Sequence, residues 1–97
     1  MHMQDVFDVI REERQYQDQH ATPFENPNPF LPSNHIRLEL SVGETILAME
    51  HNLEKAKRAW YHNDEPDYRN AMNYIRKVAA LSVLAGETFG MPRRSHN

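Results

Sequence analysis

Glu50 and Glu54 stand one helical turn apart in the stretch AMEHNLEKAKRAW, so their carboxylates share a helix face. Two carboxylates so placed can hold Mg2+ when further oxygen ligands arrive from another helix. Lys57 and Arg58 lie three and four residues beyond Glu54, which is equally the pattern of a solvated, salt-bridged face. A second group is basic: Arg69, Asn73 and Arg76 recur at spacings of four and three, with Lys77 beside them. Guanidinium forks match phosphate geometry, and an Asn amide both donates and accepts. That stripe suits an anionic ligand, or an exposed helix face paired with Asp67 or with acids of the preceding helix. A third group is aromatic. Trp60, Tyr61, Tyr68 and Tyr74 fall around an expected turn, where rings can stack a base or ribose or pack as the core of a helical hairpin. His51 lies alone near the acids. Arg93 and Arg94 can close over an anion or belong to a frayed tail.

Composition narrows the chemistry. The chain has 97 residues, no cysteine and a net charge of -3. Disulfides, thiolate catalysis and Cys-based zinc sites are excluded, and the six His show no His-x3-His pairing. Binding to DNA or RNA usually needs a basic face that this balance does not provide. No apolar run reaches the roughly 18 residues that span a bilayer, and Met1-His2-Met3 leads directly into an amphipathic pattern instead of a signal peptide. A cytoplasmic protein with no membrane partner is the expectation. Neither a Gly-rich phosphate loop nor a Ser/His/Asp arrangement can be assembled.

The elements that must position these residues are helical, within one all-α domain over 1–97. Residues 4–20 read as a first helix with a thin stripe of Val6, Phe7, Ile10, the Arg14 stem and Tyr16. Four prolines between 21 and 33 forbid regular helix, and Phe24, Phe30 and Leu31 make this an extended arm packed on a surface. A long second helix is expected over about 34–63, with Leu38, Val42, Ile46, Met49, Leu53, Ala56 and Trp60 on one face. Ser41-Val-Gly-Glu44 has the form of a capping box, yet the stripe crosses it in phase, which favours one continuous helix of about 45 Å. A third helix, capped by Asp64 with Pro66 in its first turn, runs to about Phe89, where Gly90 and Pro92 end it. The second and third helices make a long antiparallel hairpin over 34–90, followed by a tail over 91–97. In the third helix, Ala80, Leu81, Val83, Leu84, Ala85 and Phe89 spread apolar surface all round. A helix without a polar side must be buried all round, so a helical homo-oligomer is expected to enclose it, the alternative being cover by the first helix and the Pro-rich arm within a monomer.

Three segments together point further. VGETILAMEHNLEKAKRAW, a short acidic turn and IRKVAALSVLAGETFGMPRR, with ERQYQD at 13–18, resemble small phage-encoded proteins related to the MazG-like all-α NTP pyrophosphohydrolases. The likeness covers most of the chain outside the Pro-rich arm. It implies a dimer or tetramer of helical hairpins with a nucleotide pocket between subunits. It also implies Mg2+ held by Glu residues spaced like E-E-x-x-E on one helix and a Glu/Asp pair on the next. Here the first set reduces to Glu50 and Glu54 with Asn52 between them, or uses Glu44 in a shifted alignment. The second region reads Asn73-Tyr74-Ile75-Arg76-Lys77. Cations in that place repel a metal and remove the oxygens that Mg2+ needs.

The expected function is therefore non-catalytic. The resemblance suggests a phage protein that sequesters a phosphorylated, possibly signalling, nucleotide in the host cytoplasm. Arg69, Asn73, Arg76 and Lys77 would hold phosphate, and Tyr74 or Trp60 would stack the base. The alternatives are a Mg2+-dependent pyrophosphohydrolase using Glu50 and Glu54, and a module that inhibits a host protein through its Pro-rich arm.

Overall fold

The computed structural model describes residues 1–20, 41–62 and 64–95. The expected arm over 21–33 and the helical reading of 34–40 lie outside them. The described residues form three helices and no strand: α1 (Met3–His20), α2 (Val42–Tyr61) and α3 (Tyr68–Phe89). Among them, no helix is long and apolar enough to cross a membrane.

Cap chemistry places the ends. Ser41 is extended, its Oγ accepts from the Glu44 N–H at 3.1 Å, and α2 begins at Val42. The expected continuity from 34 through 41 is corrected here. A residue capping one helix cannot also lie within its interior, and apolar phase alone carries no information on backbone dihedrals. At the start of α3, Asp67 and not Asp64 is the cap, accepting from the Asn70 N–H at 3.0 Å. The Asp67 N–H donates to the Ala59 carbonyl at 2.9 Å, tying the connection to the end of α2 and leaving Asp64 to Pro66 in the turn. Gly90 ends α3 at φ +86, ψ 147, a region essentially reserved for glycine. Past it, the Met91 side chain lies against Gly86.

α2 and α3 pack most extensively on each other, and their partners run in opposite order: Ala59 meets Asp67, Lys55 meets Tyr74, and Met49 meets Ser82. The contact is made by small side chains. Thr45, Ala48, Ala56 and Ala59 are the buried residues of α2, Ala71, Ala80, Leu81 and Leu84 are those of α3, and Ala48 joins Leu81 and Leu84 in one buried cluster. Short side chains let two helix backbones approach closely. The expected core stripe of α2 is therefore only partly a core. Met49 packs at its edge and Ala56 is buried, but Val42, Ile46, Leu53 and Trp60 stay exposed.

α1 lies on α3. Arg14 is its buried residue, Ile10 is half-buried, and Val6, Phe7 and Tyr16 are exposed. Ala80, Leu81 and Leu84 of the C-terminal half of α3 are buried within the single chain, while Val83 and Phe89 remain exposed. Among the described residues, Trp60, Tyr61, Tyr68 and Met72 are exposed at the connected ends of α2 and α3.

Candidate functional site

Among the described residues, two polar grooves border α3: the first takes Arg76 and Lys77 of the expected anion stripe, and the second takes Tyr74 but no residue of that stripe. The first lies between α1 and α3. It has a volume of about 420 Å3 and is lined by Val9, Glu12, Glu13, Tyr16, Arg76 and Lys77. Arg76 projects from α3 toward α1, where its Nε donates to Glu13 Oε1 at 2.7 Å and its Nη1 donates to Asn73 Oδ1 at 2.8 Å. The Glu13 side chain is only 9% exposed. The guanidinium expected to receive phosphate is thus already held by a carboxylate and an amide of its own chain. An anion entering this groove has to displace Glu13 and meets Glu12 beside it, so the groove is close to charge-balanced.

The second groove lies between α2 and α3, has a volume of about 280 Å3, and is lined by Lys55, Arg58, Ala59, Asn70 and Tyr74. The Lys55 Nζ stands 5.7 Å from the centre of the Tyr74 ring, and the Lys77 Nζ stands 5.3 Å from it. One half-buried ring therefore has an ammonium group within cation–π reach from each of α2 and α3. None of the residues lining this groove is acidic. Glu54 reaches Arg58 at 3.9 Å and Lys57 at 3.7 Å, both long contacts on exposed side chains that neutralise little. The arrangement offers ammonium, guanidinium and amide donors around an aromatic face, a donor set suited to a phosphate next to a planar group.

The remaining expected site residues separate. Arg69 is exposed in the first turn of α3 and lines neither groove. Trp60 does not join Tyr74. With Tyr61 and Tyr68 it lines an apolar groove of about 340 Å3 on another face of α2 and α3, beside Leu53, Met72 and Ile75. The aromatic group read from the sequence is thus two groups.

Glu54 takes up the i+3 and i+4 pairing with Lys57 and Arg58, and Glu50 is exposed. Among the described residues, no three His, Cys, Asp or Glu side chains come together as metal ligands. The donor set of the described residues does not fit Mg2+.

Helical spacing alone does not mark Lys55, Arg58 and Asn70 as ligand residues. Their signal is the pairing order: a short connection that sets Ala59 beside Asp67 carries Lys55 to the level of Tyr74. Glu13 of α1 carries no comparable signal, because the side on which α1 docks is not encoded in local spacing. No family model, curated protein or solved structure matches the chain.

Proposed function

We propose that the chain is a non-catalytic binding protein for a phosphorylated small molecule, and that a nucleotide is the ligand class. The observation that carries this reading is the groove where Lys55, Arg58 and Asn70 surround the Tyr74 ring with no carboxylate in its lining, the Lys77 ammonium group also reaching that ring from the first groove. A phosphate next to the ring can be met by the Lys55 ammonium group and the Arg58 guanidinium through charge-assisted hydrogen bonds. Tyr74 supplies a surface for a base or ribose. Of the residues read from the sequence, Tyr74 lines this groove, and Lys77 lines the first groove and reaches the Tyr74 ring. Arg76 and Asn73 become support for α1, with Glu13 as the competing anion.

A nucleotide ligand goes with a cytoplasmic setting. Sequestration of a host signalling nucleotide by a phage protein rests on the resemblance of the helical segments alone. Titration calorimetry of the full chain against mono-, di-, tri- and cyclic nucleotides tests the reading. Binding that Lys55→Glu and Lys77→Glu each weaken at least about tenfold supports it, since a charge-assisted hydrogen bond contributes about 1.5–3 kcal/mol. No binding to any of the panel refutes it. Mg2+-dependent release of pyrophosphate from a nucleoside triphosphate, lost in Glu54→Gln, would replace it with the hydrolase alternative.

A further inference from the structure

The face of α2 turned away from Lys55 carries Val42, Ile46, Met49, Leu53, Ala56 and Trp60 at alternating spacings of four and three. This is the heptad seam of helices that pack knobs into holes. α3 carries a second seam, Tyr68, Met72, Ile75 and Ala79, at the same spacings. Met49 and Ala56 border the contact that joins α2 to α3, while Val42, Ile46, Leu53 and Trp60 of α2 and Tyr68, Met72 and Ile75 of α3 stay exposed beside it. The two seams meet in the apolar groove of Leu53, Trp60, Met72 and Ile75, and all four of these side chains are more than 40% exposed.

We propose that a second copy of the chain covers this face, forming a four-helix bundle around a two-fold axis. Three observations favour this occupant. First, seams of heptad spacing call for helices as partners, and the paired helices of a second copy offer two such seams at the same separation. Second, the area is right. Trp60, Tyr61 and Tyr68, exposed by 42%, 73% and 70%, leave on the order of 400 Å2 of aromatic surface to solvent. Leu53, Met72, Ile75 and Ile46 bring the patch toward the ~800 Å2 per partner of a standard interface.

Third, the charges beside the seam are self-complementary. Glu50 and Lys57 are seven residues apart and so hold equivalent places along one flank of the α2 seam with opposite charge. An axis crossing α2 near Leu53 sets each Glu50 opposite the Lys57 of the other copy. Among the described residues, Lys57 has a long 3.7 Å contact with Glu54. The basic groove lies on the other side of the α2–α3 pair, so the proposal stands whether or not that groove binds an anion.

Sedimentation velocity and native mass spectrometry of the full chain test the bundle. The expected result is a dimer, with Trp60→Glu and Ile75→Asp each raising its dissociation constant about a hundredfold or more while helical circular dichroism is retained. Because the chain has no cysteine, a second measurement is independent of those variants. Leu53→Cys is expected to give a disulfide-linked dimer on oxidation, and Lys55→Cys is not. A monomer at the highest attainable concentration overturns the proposal. So does a dimer that both charged substitutions leave intact, or cross-linking at residue 55 as efficient as at residue 53.

Discussion

Glu13 of α1 and Arg76 of α3, 63 residues apart, meet at 2.7 Å with the carboxylate almost fully enclosed and the guanidinium about one-third exposed. One residue along, Arg14 reverses the polarity by donating from its Nε to Glu87 Oε1 at 2.8 Å and from Nη1 to Asp18. α1 buries little apolar surface of its own, so these crossed pairs fix which way it faces on α3.

Arg76→Glu is accordingly expected to act on the fold before it acts on any ligand. It sets a second carboxylate against the enclosed Glu13. Loss of a fully buried pair costs about 3–5 kcal/mol, and the partial exposure of Arg76 reduces this to about 1–2 kcal/mol. Urea denaturation measures the loss. The double exchange Glu13→Arg with Arg76→Glu is expected to recover most of it, whereas a residue acting only on ligand would leave stability unchanged in both variants.

Affinity for a phosphorylated ligand is expected to follow the second groove. Tyr74→Leu and Lys55→Gln weaken it, the first through lost stacking of about 1–3 kcal/mol. Trp60→Leu leaves it within about twofold, because Trp60 lines the apolar groove and not the basic one. Calorimetry with the same nucleotide across the three variants distinguishes the two aromatic groups.

How much of this was legible in the sequence depends on how local each determinant is. The three helices, the Gly90 stop and the pairing of Glu54 with Lys57 and Arg58 follow from residues within one or two turns of each other, and spacing reveals them. The face that α2 turns to α3 was misread, because hydrophobicity ranks Leu53 and Trp60 above Ala48 and Ala59. Close helix packing selects for small size instead. The docking of α1 depends on side chains 63 and 73 residues away and leaves no periodic trace.

Gly90 provides a local check. Gly90→Ala forces a side chain into a positive-φ conformation and is expected to cost about 1–3 kcal/mol. Gly86→Ala is expected to cost far less. Its new Cβ would stand 3.2 Å from the Met91 Cε, the mobile end of a flexible side chain that can shift. Thermal denaturation of the two variants separates a backbone requirement from a packing one.

The packing of α2 makes an unusual ordering of substitutions. Leu53→Ala removes a large apolar side chain, which in a core costs about 2–5 kcal/mol. Yet Leu53 is 44% exposed in the single chain, so in dilute monomer the loss is expected to stay near 1 kcal/mol. Ala48→Leu adds apolar atoms and keeps a strong helix former, but Ala48 is 1% exposed against the Leu81 and Leu84 cluster. The added carbons have no room unless α2 moves off α3, at about 1–3 kcal/mol or more. Denaturation at low micromolar concentration should therefore find the enlarged residue more harmful than the truncated one. Raising the concentration should then stabilise the parent chain more than Leu53→Ala, because mass action adds stability only where the seam engages a second copy.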